Sequence, residues 1–275
     1  MTRRETVSRE AIVHALTKSL RPLPHVHAFW EAGAAAFHRI DAWSDIDLYI
    51  VVDDTTIRET FETVERALKR LSPIQRIHEV PWPPASGISQ KFYRLKRTNE
   101  FLLVDLAVLT LSAPDKFLNR EIHGEAVFLF NKGGKVQIPP LDTERFVRGL
   151  LERRRRLIER MELFGPFVPK EIERGNRLEA LDFYRALVLP SLVEALRMRY
   201  GPHHYDFRMR YVYRELPRVV VKRLERLAFV TDTKDLAAKY REARTWFDKA
   251  IQEFDEKHVR ELVSGQRPPH PSRKR

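Results

Sequence analysis

The strongest constraint on the fold of this chain is a change of period near Leu141. Before it, apolar residues come in short runs set off by turn residues. After it, they recur every three or four residues over long stretches. Strands followed by a block of helices read as an α+β chain in two parts. The expected organisation is a mixed-sheet domain over residues 1–140 and an all-α helical bundle over 141–262. A basic, proline-containing tail over 263–275 reads as disordered. The length of 275 residues suits one large domain or two modest ones.

Within the first part, residues 6–20 have helical spacing and stop at Arg21-Pro22. Residues 25–32 alternate and read as a strand running to Gly33, and residues 47–52 form a second strand. A helix over 56–71 puts Phe61, Val64, Leu68 and Leu71 on one face. Further strands are expected at 74–80, 91–97, 101–111 and 126–130. The run FLLVDLAVLTL is apolar enough for a central strand. In the second part, helices are expected at 143–164, at 176–200 with a kink at Pro190, at 206–229 and at 233–262.

Composition excludes several chemistries. There is no cysteine, so disulfide frameworks, thiolate metal sites and thiol nucleophiles are ruled out. No apolar run approaches the roughly 18 residues of a membrane helix, and the start MTRRETVSRE lacks the apolar stretch of a signal peptide. A cytoplasmic protein without a membrane partner is expected. The 50 Lys and Arg against 38 Asp and Glu give a net charge of +12. Residues 1–140 carry 19 basic and 17 acidic side chains, and residues 141–275 carry 31 and 21. A basic half suits a polyanion such as nucleotide phosphate or RNA. The alternative is a helical surface laced with Arg–Glu pairs, which the run Arg153–Arg156 favours because four successive residues cover every side of a helix.

The chemistry concentrates in residues 31–48. Asp45 and Asp47 stand two apart at a strand start, so both point to one face. Two adjacent carboxylates repel each other unless cations or protons intervene, and magnesium accepts such hard oxygen ligands. Asp105, embedded in an apolar strand, needs a partner just as much. Pairing its strand with that of Asp45 and Asp47 would bring three carboxylates to one point. Two divalent ions there could orient a nucleoside triphosphate and activate a hydroxyl. Gly33, 12 residues before Asp45, would allow close approach of backbone to a phosphate.

Gly33, the Ser44-Asp45-Ile46-Asp47-Leu48 core and Asp105 in VDLAV together resemble the nucleotidyltransferase superfamily, which includes polymerase-beta-like enzymes and the aminoglycoside and lincosamide nucleotidyltransferases. The motif-bearing likeness covers roughly residues 25–110. In place of the serine that usually follows the glycine stands Ala34, and His38 replaces a second loop glycine. The resemblance implies a magnesium-dependent enzyme, with two ions on Asp45, Asp47 and Asp105. It would move a nucleoside monophosphate, AMP from ATP or that of another triphosphate, to a hydroxyl of a small aminoglycoside-like acceptor held between the two domains.

Gly33, Ala34 and Ser44 would line the nucleotide, and Arg210 or Lys222 would supply a cation from the helical part. Asp105 or Glu79 would take the hydroxyl proton. A monomer or a homodimer fits this reading. Transfer to RNA or protein, and a degenerate member that binds nucleotide or a partner without catalysis, are the alternatives.

Overall fold

The structure, a computed structural model, describes residues 6–265. The chain divides into two compact units between Leu141 and Asp142. The first unit is a six-stranded mixed sheet. Its strands are β1 (Val26–Glu31), β2 (Ile46–Val52), β3 (Ile74–Val80), β4 (Ile88–Leu95), β5 (Val104–Thr110) and β6 (Val127–Asn131). Their order across the sheet is β3-β4-β5-β2-β1-β6. β2 and β5 run parallel at its centre, and the other pairs are antiparallel.

The helices of this unit are α1 (Arg9–Leu20), α2 (Gly33–Ala36), α3 (Ile57–Leu71) and α4 (Arg120–His123). Ser8 caps α1 by accepting from the Ala11 N–H at 3.2 Å. Apolar spacing gives α1 one buried face with Ile12, Leu16 and Leu20, and gives α3 Phe61, Val64 and Leu68. Both helices cover the sheet face formed by Ile46, Leu48 and Ile50 of β2 and Val104, Leu106 and Val108 of β5. Cutting a fully buried residue such as Leu68 back to alanine would cost about 2–5 kcal/mol. The alternate residues form the second face, where Trp30 stacks on Tyr49 across the β1–β2 pair at 5.4 Å.

The second unit is helical: α5 (Thr143–Phe164), α6 (Phe167–Glu173), α7 (Arg177–Phe183), α8 (Leu189–Tyr200), α9 (Val212–Glu215), α10 (Arg218–Ala228), α11 (Thr233–Gln252) and α12 (Glu256–Val263). The kink expected at Pro190 is a π turn over Tyr184–Val188 that joins α7 to α8. Pro190 has no N–H to offer the Ala186 carbonyl four residues earlier. Arg160 Nη2 donates to that carbonyl instead, at 2.8 Å.

The single helix expected at 206–229 is broken into α9 and α10. Arg208 and Tyr211 adopt left-handed backbone conformations, and Pro217 precedes α10. The turn after α8 is held by Arg197, whose side chain is wholly buried. Its Nε donates to the Arg208 carbonyl at 2.7 Å, its Nη1 to Glu215 at 2.8 Å, and its Nη2 to the Arg210 carbonyl.

The arginine run on α5 is spent within this unit. Arg153 pairs with Glu194, Arg154 donates to the Ile251 carbonyl, and Arg155 and Arg156 pair with Glu152. α12 ends at Val263, one residue beyond the expected boundary. The rest of the expected tail, residues 266–275, lies outside the described residues. No helix among the described residues is long and apolar enough to cross a membrane.

Candidate active site

The central parallel pair of strands builds the site. β2 and β5 are in register, and Asp47 stands directly opposite Asp105 near the start of both strands. Both side chains project from the face opposite α1 and α3, because their neighbours Ile46, Leu48, Val104 and Leu106 fill the helix-covered side. Asp45 precedes β2 by one residue, sits at the same sheet end and is exposed.

Gly33 closes the site from β1. Antiparallel pairing sets Glu31 against Leu48, so the chain leaves β1 beside Asp47. The Ala32 N–H donates to the Asp47 carbonyl at 2.9 Å. Gly33 itself has φ +52°, and a Cβ built there would lie 1.8 Å from Asp47 Oδ2. Only glycine leaves room for that carboxylate. The sequence assigned Gly33 to phosphate approach, and the structure adds this separate requirement.

The electrostatics are those of a crowded acidic cluster. Burial is the main force pushing the Asp105 carboxyl up to about 6. The charges of Asp47 and Asp45 push the same way, and a hydrogen bond from Gln90 opposes them. Gln90 Nε2 donates to Asp105 Oδ1 at 2.6 Å. Asp45 is also raised, chiefly by partial desolvation of its carboxyl, while a hydrogen bond from the Leu103 backbone and the cations Arg94 and Arg9 pull it down. Arg9 Nη1 donates to the Asp45 carbonyl and Nη2 to Glu31, each at 2.6 Å. The tie fixes the start of α1 to the sheet end that carries the acids.

The residues fit magnesium by the chemistry of their donors, which are carboxylate oxygens. Among the described residues, no three acid or histidine side chains close on one point as a metal cage. Magnesium does not require such a cage. It keeps several waters and is usually held by one or two carboxylates plus substrate phosphates. An open pair such as Asp47 and Asp105 suits that mode.

Other expected residues are placed differently. Glu79 pairs with Lys91, which pairs in turn with Leu106 on the helix-covered face. The carboxylate of Glu79 lies 3.8 Å from Lys91 Nζ. The expected proton acceptor is therefore on the face away from Asp105. The physical reason is strand parity, since a shift of one residue reverses the face. His78, its neighbour, is the residue in register with Phe92 and so on the Asp105 side.

Ser44 is engaged in its own loop, donating to Asp41 Oδ1 at 2.8 Å and accepting from the Asp41 N–H at 2.9 Å. Ala34 lies in α2, and its carbonyl accepts from the Arg39 N–H at 2.8 Å. In the helical unit, the Arg210 guanidinium stacks on Phe207 at 4.5 Å. Lys222 is exposed on α10. Gln90, Arg9 and Arg94 were not singled out from sequence. Gln90 carried one usable signal, a polar residue alternating with Ile88 and Phe92.

No protein-family model matches the chain, and no curated protein matches it. Among solved structures, an aminoglycoside 6-adenyltransferase from Bacillus subtilis aligns at 12% identity and a TM-score of 0.33, over 94% of this chain and 98% of that one. A spectinomycin adenyltransferase from Enterococcus faecialis, solved with ATP and spectinomycin, aligns at 9% identity and 0.36, over 92% and 99%. At TM-scores this low neither likeness decides a function, and the residues of the site have to carry it.

Proposed function

We propose that the sheet unit is a nucleotidyltransferase. It moves a nucleoside monophosphate, AMP from ATP, onto a hydroxyl of a small acceptor. The observation that carries this reading is the registered pair Asp47–Asp105, with the Asp47 carboxylate seated against the bare Cα of Gly33. Such a pair concentrates negative charge at one sheet end without a matching cation on Asp105. That arrangement costs stability, and a bound cation would relieve it.

Magnesium held by Asp45, Asp47 and Asp105 would supply charge neutralisation for a triphosphate. The chain's own residues then have definite tasks. Gly33 and the Ala32 N–H bond keep Asp47 in place. Gln90 orients Asp105. Arg9 holds the backbone of Asp45 and leaves its carboxylate available.

The acceptor oxygen bonds to the α-phosphorus, the α–β phosphoanhydride bond breaks, and pyrophosphate leaves. The hydroxyl proton passes to Asp105, the carboxylate of the cluster that Gln90 orients. Catalysis is then positioning and electrostatics, as in phosphoryl transfer generally.

Calorimetry of ATP binding, with and without magnesium, tests the reading on the wild type and on an Asp45→Asn/Asp47→Asn variant. Binding that needs magnesium and disappears in the folded variant supports it. Binding that is indifferent to magnesium, or survives the double substitution, places the nucleotide elsewhere and ends the proposal.

A further inference from the structure

The helical unit has a cavity of about 690 Å³ of its own. That size falls within the range of about 300–1,000 Å³ typical of small-molecule pockets. One wall is apolar, made by Leu189, Pro190 and Val193 of α8 together with Met209. The remaining lining is largely charged. Arg153 and Glu194 belong to it but neutralise each other through two bonds of 2.5 and 2.9 Å.

Three more guanidiniums remain, those of Arg160, Arg185 and Arg208. Arg160 spends one N–H on the Ala186 carbonyl, which carries no charge. None of the three forms an ion pair with a described residue. Against them stands one further carboxylate, Asp206. The cavity thus holds a surplus of two positive charges.

The fold puts these groups there at a cost. The π turn that carries Arg185 departs from helix geometry, and Arg208 has a left-handed φ of 54°. The Arg197 side chain is buried to hold the Arg208 carbonyl, which fixes the loop that presents Arg208 to the cavity. Tyr205 adds a hydroxyl that burial keeps protonated, so it is a donor.

Guanidinium forks match phosphate and carboxylate oxygens two at a time. A surplus of two charges selects a dianion, and a phosphate monoester carries about −1.5 to −2 at neutral pH. The apolar wall selects a ligand with a carbon body. We propose that this cavity binds a small organic phosphate monoester, with the phosphate on Arg160, Arg185 and Arg208 and the carbon body on Leu189, Val193 and Met209. The proposal is independent of the reading given to the aspartates of the sheet unit. It also disfavours a polycation, such as an aminoglycoside, in this cavity.

The test is calorimetry on the full chain with phenyl phosphate as the probe, and with inorganic phosphate, benzoate and kanamycin as comparisons. Phenyl phosphate should saturate and bind more tightly than the other three. An Arg185→Gln/Arg208→Gln variant should weaken it by about tenfold or more, because each lost partner is charged. Met209→Glu, which adds a carboxylate at an exposed position, should weaken it as well and guards against misfolding of the double variant. The Asp45→Asn/Asp47→Asn variant should bind as the wild type does.

Absence of saturable binding to the folded wild type overturns the proposal, as does unchanged binding in both cavity variants. Loss of binding in the aspartate variant would move the anion to the sheet unit. Inorganic phosphate as tight as phenyl phosphate would remove the apolar wall from the argument. Benzoate or kanamycin binding more tightly would refute the dianion assignment.

Discussion

Two half-buried carboxylates, one in each unit, meet opposite environments. Burial alone would raise the pKa of Glu215 in the helical unit. Hydrogen bonds and charge from His204 and Arg197 outweigh it and hold the group down at about 2. Burial also raises Asp105 in the sheet unit, but its nearest charges are Asp47 and Asp45, and its partner Gln90 is neutral. Glu215 belongs to a closed circuit, with Arg197 at 2.8 Å and His204 at 3.1 Å. For Asp105 itself the neighbouring charges are of its own sign, and its hydrogen-bond partner is a neutral amide. Matched buried charge builds a fold, whereas unmatched buried charge marks a place where a ligand completes the balance.

The largest expected effect lies at the open cluster. Gly33→Ala puts a methyl group 1.8 Å from Asp47 Oδ2, on a backbone with positive φ. The carboxylate has to move by an ångström or more. A displacement of that size costs about a hundredfold where positioning is the source of rate. Magnesium-dependent pyrophosphate release from ATP, measured on the folded variant, should fall by at least that factor. Wild-type rates would show that Asp47 is not held by Gly33, and the comparison would lose its functional half.

The next effect has opposite signs in the two units. Glu215→Gln leaves the wholly buried Arg197 without its carboxylate and should destabilise the helical unit by about 3 kcal/mol. Asp105→Asn removes a repelled charge while keeping an oxygen for Gln90. In metal-free buffer it should stabilise the sheet unit by about 1 kcal/mol, a figure reduced because the site is partly open to solvent. Denaturant unfolding measures both. Equal signs would mean that the two environments do not differ as described.

A pH series sharpens the same contrast. The folded pKa of Glu215, about 2, lies below its ordinary value of 4.5. The unfolded chain therefore binds the proton more readily. The stabilisation from Glu215 is complete above about pH 4.5 and is lost as the pH falls toward 2. The difference in melting temperature between wild type and Glu215→Gln should shrink as the pH falls below 4.5. A gap as large at pH 3 as at pH 7 would show that the effect of the substitution does not come from the charge of Glu215.

The sheet unit was legible because its signals are local. Period-two runs located the strands, and Asp45 and Asp47 stand together at the start of one of them. The apolar flanks of Asp105 made it a buried acid in need of company. What sequence could not supply was register. Glu79 and His78 are adjacent in the chain, and only the pairing through Lys91 to Leu106 shows which of them shares a face with Asp105. Arg9 and Gln90 escaped notice because their partners lie 36 and 15 residues away. The helical unit was harder to read. Arg197 sits between Leu196 and Met198 and looks like one more basic residue, yet it is the most deeply buried charge among the described residues of that unit. The break at Pro217 was readable, whereas the left-handed Arg208 and Tyr211 were not, because neither residue favours that conformation.

The smallest effect tests the matched-charge argument at its exposed limit. Arg153 and Arg155 are two apart on α5, and both pair with glutamates. The partner of Arg153, Glu194, is only 12% exposed, while the partner of Arg155, Glu152, is 44% exposed. Removing Arg153 strands a nearly buried carboxylate beside an apolar wall. Arg153→Ala should therefore lower the melting temperature of the helical unit by about 3 °C. Removing Arg155 leaves Glu152 to water and to Arg156, which already shares it at 3.0 Å. Arg155→Ala should shift melting by less than about 1 °C, and added salt should erase even that. A shift at Arg155 equal to that at Arg153 would show that counting ion pairs, rather than their burial, accounts for the stability of this arginine-rich helix.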